Sequence, residues 1–107
     1  MIKVFISSPY TIGDTAFNVR RQMDATDELI ERGYAPFTPL YYHFQHIVHP
    51  RHYDDWIKID LEWLRSCDCV LRLPGESKGA DIECAEAERL GLPVFNSVAE
   101  ITEYYYG

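Results

Sequence analysis

Apolar runs and amphipathic segments alternate along the chain. Residues 2–7 form a continuous apolar run, which predicts a strand buried on both faces. Residues 15–32 repeat apolar positions with a helical period, and Gly33 is the expected C-cap of that helix. Its expected buried stripe consists of Ala16, Val19, Met23, Thr26 and Ile30. The chain therefore opens with a buried strand and a long helix.

The rest of the chain continues this alternation. The expected elements are, in order, an edge strand at 34–37, a long polar and aromatic loop at 38–52, a helix at 54–66, a strand at 69–73, a helix at 79–90, a strand at 92–96 and a short last helix with a capping box from Ser97 to Glu100. Such alternation implies a parallel sheet with right-handed crossovers. We therefore predict an α/β fold: one Rossmann-like (flavodoxin-like) domain over residues 1–107, with four to five parallel strands flanked by helices.

Two carboxylates lie on the apolar faces of their predicted helices. Glu83 falls within the apolar arc of helix 79–90, and Asp60 falls in the middle of the apolar arc of helix 54–66. A carboxylate that faces a core costs free energy unless it is paired or faces a pocket. One such residue is equally well explained by an arginine partner. Because both helices flank the same strand, we interpret Asp60 and Glu83 as one site with separated pKa values, suited to a nucleophile and an acid/base.

Two loops rich in small polar residues follow predicted strands. The first begins with Ser7, Ser8 and Pro9, and the second spans residues 74–78. Both lie at the carboxyl edge of the sheet, where open α/β sheets bind ligands. Their backbone N–H groups and the following helix starts could hold a phosphate or sugar hydroxyls, although a well-capped turn is an equally open interpretation. Neither loop has a GxGxxG or Walker pattern, so we expect no dinucleotide or triphosphate site.

The long segment 38–52 is rich in histidine and tyrosine. Its histidines and the next one recur at a spacing of three, namely His43, His46, His49 and His52. Pro50 and the mixed composition argue against a helix that would align them, and no HExxH or cysteine pair is nearby, so we expect neither a metal nor a cofactor. We interpret the segment as a mobile lid, in which His43 and Tyr42, together with Trp56 of the next helix, contact a planar ring. Tyr41, Phe44 and Tyr53 offer further apolar surface for such stacking, and core packing of several of these aromatic residues stays an open alternative.

Composition narrows the class of partner. A formal charge of −7 on 107 residues argues against a nucleic-acid polymer, but a single nucleotide remains compatible with it. No apolar segment is long enough to span a membrane, and the opening run is too short for a signal peptide. Three cysteines without a CxxC pair are expected to be free thiols in a reducing cytoplasm. A content of 14% aromatic residues indicates a ligand pocket or a subunit interface.

With these features the sequence resembles the nucleoside 2-deoxyribosyltransferase family and its relatives, the 2′-deoxynucleoside 5′-monophosphate N-glycosidases. The resemblance covers most of the chain and rests on Ser7-Ser8-Pro9-Tyr10, Asp60-Leu61-Glu62-Trp63-Leu64, Ser77-Lys78-Gly79-Ala80-Asp81-Ile82-Glu83-Cys84-Ala85-Glu86-Ala87 and Gly91-Leu92-Pro93-Val94. Asp81 is an acidic residue at a position where the family usually has a small or neutral one.

The resemblance implies a role for each matching residue. Glu83 matches the nucleophile that attacks the sugar C1′, and Asp60 matches the residue that positions or protonates the reacting groups. Ser77 and Gly79 match the turn that binds the 5′ end of the nucleotide. Tyr10 is the expected aromatic residue that orients the nucleophile. The family usually pairs subunits around its sites, which implies a homodimer or a higher homo-oligomer.

The sequence thus favours a cytoplasmic enzyme that cleaves or transfers the N-glycosidic bond of a (deoxy)nucleoside or nucleoside 5′-monophosphate through Glu83. Two other classes stay open. One is a non-catalytic module of the same fold that binds or senses a nucleotide. The other is an interaction protein whose aromatic residues form an oligomer interface. Release of a free base separates the enzyme from both.

Overall fold

Four short strands form a parallel sheet in the computed structural model, which describes residues 1–107. The strands are β1 (Lys3–Ser7), β2 (Ala35–Phe37), β3 (Cys69–Arg72) and β4 (Val94–Phe95), and their spatial order is β2-β1-β3-β4. All three pairings are parallel. The predicted Rossmann-like α/β fold is therefore confirmed, with four strands.

Five α-helices connect or follow these strands. They are α1 (Thr15–Glu31), α2 (Tyr42–Val48), α3 (Tyr53–Leu64), α4 (Lys78–Arg89) and α5 (Val98–Tyr106). The predicted capping box opens α5, where the Ser97 hydroxyl accepts a hydrogen bond from the Glu100 N–H at 3.1 Å. None of the helices is both long and apolar enough to cross a membrane.

The core lies on both faces of the sheet because side chains of a strand alternate between its faces. Val4 and Ile6 of β1 pack with buried residues of α1 and α5, whereas Phe5 packs with Leu64 of α3 and Ala87 of α4. The strands are therefore buried on both sides, as their continuous apolar runs predict. This packing also holds α3 and α4 side by side against β3.

The strands β2 and β3 lie on opposite sides of β1. The chain passes from β1 to β2 on one side and then crosses to β3 on the other side. At such a point the two connections leave the sheet in opposite directions and open a crevice at the carboxyl ends of the strands. Here the crevice lies after Ser7 of β1 and Arg72 of β3.

The prediction of a loop at 38–52 is wrong for most of its length. Residues Pro39–Tyr41 form a 3₁₀ helix and α2 follows directly. Pro50 lies beyond the last residue of α2, so it does not interrupt the helix. No residue of α2 is fully buried, because this helix lies over the crevice and does not pack on the sheet. A helix without a buried stripe has no strong apolar period from which it could be predicted.

The predicted buried stripe of α1 is partly wrong. Met23 and Ile30 are 43% and 57% exposed, and Ala16 is exposed as well. The face toward the sheet instead carries the buried residues Asn18, Val19, Gln22, Ala25, Thr26 and Leu29. Asn18 and Gln22 have hydrogen-bond partners on the loop after β1, and Thr26 bonds to the Gln22 carbonyl oxygen and to Thr38, which lowers the cost of burying them. The helix is thus rotated relative to the apolar pattern.

Candidate functional site

Two acidic side chains meet at the floor of the crevice. Glu83 projects from α4 and is 6% exposed, and its Oε1 accepts a hydrogen bond from the Ser7 hydroxyl at 2.7 Å. Asp60 projects from α3 and lies within hydrogen-bond reach of Glu83. The structure therefore brings together the two residues that helical phasing assigns to one site.

Burial controls the protonation of this pair. Burial, and then the charge of Asp60, raises the pKa of Glu83 to about 8, against the lowering effect of the Ser7 hydrogen bond. Burial also raises the pKa of Asp60 to about 7, and the hydrogen bond with Glu83 opposes that rise. Between these values the pair carries one proton, and the order of the two pKa values places it mainly on Glu83 with Asp60 ionised.

Asp60 Oδ1 is unusual within residues 1–107. It is the one buried side-chain oxygen or nitrogen atom that has no hydrogen-bond partner in the protein. An uncompensated buried carboxylate oxygen costs free energy, which a proton shared between the two carboxyl groups offsets. The geometry thus favours a shared proton at this position.

The carboxyl pair opens into a cavity of about 440 Å³. This volume is in the range of small-molecule sites. The cavity is lined by the loop after β1, the 3₁₀ helix, α2, α3 and the start of α4. One wall is mainly aromatic and is contributed by α2, α3 and Tyr10, whereas a second, polar wall is formed by Ser77, Lys78 and Gly79 at the start of α4. A ligand with a flat apolar part and a polar part matches these two walls.

Hydrogen bonds and ring contacts hold α2 over the cavity. The Tyr10 hydroxyl and His43 Nδ1 are 2.5 Å apart, and Trp56 Nε1 donates to His46 Nδ1 at 2.9 Å. Tyr42 lies against Trp56 with ring centroids 5.3 Å apart. These contacts tie α2 to the loop after β1 on one side and to α3 on the other. The aromatic wall is therefore a connected unit despite the exposure of α2.

The start of α4 forms the polar wall. The Ser77 hydroxyl caps the helix by accepting a hydrogen bond from the Ala80 N–H at 3.1 Å. A Cβ atom on Gly79 would lie 3.0 Å from the Tyr53 hydroxyl oxygen and 3.6 Å from Ile57 Cδ1. Glycine at this position therefore lets α3 approach the first turn of α4. The first-turn N–H groups, as at any helix start, favour an anionic or hydroxyl ligand group.

Two arginine side chains donate hydrogen bonds to backbone carbonyl oxygens of the turn between β3 and α4. Arg72 donates to the Gly75 carbonyl oxygen at 2.8 Å, and Arg21 donates to the Pro74 carbonyl oxygen at 3.0 Å. Arg72 also lies 3.6 Å from Asp81, which is 76% exposed. The extra acidic residue near Glu83 thus pairs with an arginine and does not line the cavity.

The same turn packs tightly against the loop after β1. Gly75 has φ +123°, and a Cβ atom there would lie 2.7 Å from Pro9 Cγ. We expect Gly75→Ala to lower the free energy of unfolding by about 3 kcal/mol, since it combines backbone strain with a clash. Gly91→Ala is the matched control: φ is +75° with nothing within 4 Å, so we expect a loss of about 1 kcal/mol. Urea unfolding measures both, and equal losses would contradict the importance of the Pro9 contact.

Most of the predicted site residues line the cavity. These are Ser8, Tyr10, Tyr42, His43, Trp56, Asp60, Ser77, Gly79 and Glu83. Ser7 and Pro9 do not line it: Ser7 lies behind Glu83, and Pro9 packs against Gly75. Ser7 donates the hydrogen bond to Glu83 and the Tyr10 hydroxyl bonds to His43, so the orienting role expected of Tyr10 stays a prediction. The predicted substrate loop thus also supports the carboxyl pair.

Three further cavity residues outside the predicted set make contacts that bear on the site. Burial, and then the charge of Glu83, raises the pKa of Tyr53, whose hydroxyl lies near the carboxyl pair. The sequence suggests Tyr53 as stacking surface but not as a neighbour of the carboxyl pair. Tyr53 precedes Asp60 by seven residues, or two helical turns, so helical phasing places both on the same face of α3. Gln22 donates to the Ser8 hydroxyl at 2.8 Å and accepts from the Leu40 N–H at 3.1 Å. It resembles a surface residue in the sequence and carries no such signal.

The third residue is His46, which the sequence shows only as one of four spaced histidines. Contrary to the prediction, α2 does place His43 and His46 on one helix, and both line the cavity. Within residues 1–107 no three His, Cys, Asp or Glu side chains converge as metal ligands would. Both histidines instead use Nδ1 in hydrogen bonds to neighbouring aromatic side chains.

The fold is similar to that of a solved 2-deoxyribosyltransferase from the psychrotolerant bacterium Bacillus psychrosaccharolyticus. The TM-score is 0.59 at 19% sequence identity, over 94% of this chain and 80% of the other. At this identity the likeness supports the fold that the resemblance implies. No curated protein matches the chain significantly in sequence. A family model described as Domain of unknown function (DUF7768) matches residues 2–97, and the chain therefore belongs to that family.

Proposed function

We propose that this chain cleaves or transfers the N-glycosidic bond of a (deoxy)nucleoside or a nucleoside 5′-monophosphate. The observation that carries the proposal is the buried pair of neighbouring carboxyl groups, Asp60 and Glu83, at the floor of a cavity of about 440 Å³. Glycoside chemistry needs one ionised and one protonated carboxyl group beside the same carbon atom. The likeness in fold to a 2-deoxyribosyltransferase agrees with this reaction class.

In the proposed reaction, Glu83 is the nucleophile, and the proton that the resting pair holds mainly on Glu83 passes to Asp60 before the attack. The Glu83 carboxylate oxygen forms a bond to C1′ as the bond from C1′ to the base nitrogen breaks through an oxocarbenium-like transition state. The electron pair of that bond leaves with the base, which takes a proton from Asp60. Water or a second base then attacks C1′ and releases Glu83, and Asp60 takes up the proton of the attacking group.

Ser7 supports the nucleophile in this scheme. Its hydroxyl donates to Glu83 Oε1 at 2.7 Å and lowers the pKa of Glu83 relative to burial alone. Because Ser7 ends β1, its position is set by the central part of the sheet. The nucleophile is thus held by a rigid element, which keeps the attacking oxygen in place.

The two walls of the cavity suggest how the ligand lies. The base contacts the aromatic wall around Tyr42 and Trp56, and the sugar 5′ end lies against Ser77 and Gly79. Arg51 and Lys78 are the basic side chains that line the cavity. They favour a 5′-phosphate, whose charge the first-turn N–H groups of α4 also stabilise.

The test is base release from a panel of ribonucleosides, deoxyribonucleosides and their 5′-monophosphates, followed by chromatography of the free bases. A free base with one of these substrates supports the proposal, and addition of a second base separates transfer from hydrolysis. Saturable nucleotide binding without any free base would instead support a sensing module. The homo-oligomeric state and the cytoplasmic location remain predictions.

We expect Asp60→Asn to slow base release from ordinary nucleosides by about a hundredfold, because the leaving base then lacks its proton donor. A nucleoside of 7-methylguanine needs no such proton, since its base already carries a positive charge. We therefore expect a much smaller effect, within about fivefold, on that substrate. Equal slowing of both substrates would contradict the acid role of Asp60 and would leave it only a structural role.

A further inference from the structure

His46 has a fixed tautomer. Its Nδ1 accepts two hydrogen bonds, from Trp56 Nε1 at 2.9 Å and from the Arg51 backbone N–H at 3.3 Å. Indole and backbone N–H groups only donate, so Nδ1 must be unprotonated to accept from them. The proton of the neutral ring therefore lies on Nε2.

The Nε2–H group of His46 has no hydrogen-bond partner within the protein, although the side chain lines the cavity. The ring stands edge-on to Trp56, with centroids 5.8 Å apart and an interplanar angle of 75°. Trp56 in turn lies against Tyr42. His46 thus adds a polar atom to a wall that otherwise offers flat apolar surface.

The other cavity histidine is not fixed in this way. His43 Nδ1 is bonded to the Tyr10 hydroxyl, which can donate or accept, so either tautomer of His43 satisfies that contact. Only His46 is limited by its neighbours to donating from Nε2. Neighbouring groups set both the tautomer of His46 and the orientation of its ring. Such a donor is suited to recognising a ligand acceptor, because little conformational entropy is lost on binding.

We propose that His46 determines base specificity by donating from Nε2 to an acceptor atom on the edge of the base. The class of ligand rests on the proposed function. Acceptors of this kind are the N3 and N7 atoms of purines and the O2 and O4 atoms of pyrimidines. A base that presents an N–H group at the same place leaves two donors facing each other, which the site rejects.

The first experiment measures binding, which does not require catalysis. Calorimetry with the four common deoxynucleosides and their 5′-monophosphates first identifies those that bind. Each ligand that binds is then compared with analogues whose base lacks one acceptor atom, namely 3-deaza and 7-deaza purines or pyrimidines without O2 or O4. For the wild type we expect one analogue to bind about tenfold more weakly than its parent. For His46→Phe, which keeps a ring, we expect parent and analogue to bind equally.

His49→Phe is the matched control, because His49 is exposed at the end of α2 and does not line the cavity. It should keep the wild-type difference between parent and analogue. A purely structural role of His46 would weaken both ligands by the same factor and would overturn the proposal. If no nucleoside binds, the proposed function fails as well; if base release is seen but no analogue differs from its parent, only the role of His46 fails.

A second measurement uses the unmodified protein. Long-range ¹⁵N–¹H NMR spectra of the histidine rings distinguish the two neutral tautomers, and we expect His46 to be protonated on Nε2. A proton on Nδ1 would overturn the proposal without any variant being made. His46 belongs to a helix with no buried residue, so we expect its substitution to leave the sheet and the other helices intact, while α2 loses its hydrogen bond to Trp56.

Discussion

Replacement of Glu83 by glutamine is expected to reduce base release by at least about a thousandfold. Glutamine keeps the size of the side chain and an oxygen that can accept from the Ser7 hydroxyl, but it lacks the charged oxygen that bonds to C1′. The loss should appear in kcat, and nucleotide binding should change little. Chromatography of released base and calorimetric binding measure the two quantities on the same preparation.

Glu88→Gln is the matched control for this experiment. Glu88 belongs to the same helix and its side chain is exposed, away from the cavity. We expect wild-type rates for this variant. A Glu83→Gln protein that releases base within about threefold of the wild-type rate would exclude Glu83 as the nucleophile. Loss of binding together with loss of rate would assign Glu83 a role in holding the ligand instead.

The second large effect concerns stability and pH. The pKa of Glu83 is raised in the folded protein to about 8 from an ordinary value of 4.5, so between these values the folded state binds more protons than the unfolded state. The free energy of unfolding must then fall as the pH rises through this window. Asp60 acts in the same direction up to about pH 7. We expect the wild type to lose about 3 kcal/mol between pH 5 and pH 9.

Glu83→Gln isolates this effect because glutamine does not ionise. The variant and the wild type should be similarly stable at pH 5, where the buried carboxyl group is protonated. At pH 9 the variant should be the more stable by about 2 kcal/mol, since only the wild type then buries that charge. Urea unfolding at five or six pH values measures both curves. Parallel curves would mean that Glu83 has an ordinary pKa and that the pair does not share a proton.

The sequence predicts the carboxyl pair well because helical phasing is a local property. In α3 and α4 the apolar arc does face the sheet, and the inward positions of Asp60 and Glu83 follow from their places in that arc. The same reasoning fails for α1, whose sheet-facing side includes Asn18 and Gln22. Their burial depends on hydrogen-bond acceptors in β1 and in the loop after it. These partners cannot be predicted from the sequence of α1, because they lie outside that helix.

The segment around α2 shows a second limit. Its residues lack an apolar period because the helix covers a cavity and packs on no core. The contacts that hold it join residues far apart in the chain, such as Tyr10 and His43, or lie on the next helix, such as Trp56. Local propensity is a weak predictor where tertiary contacts decide the conformation.

The sequence by itself determined the α/β fold, the order along the chain of the four strands and of every α-helix except α2, and the presence of two inward carboxylates, because each depends on periodicity and on short turn motifs. Only the tertiary structure decided that Ser7 bonds to Glu83, that Asp60 lacks another partner and that His46 keeps its proton on Nε2. These properties depend on distances between separate elements and on exclusion of water. These distances and the exclusion of water arise only when β1, α2, α3 and α4 pack around one cavity.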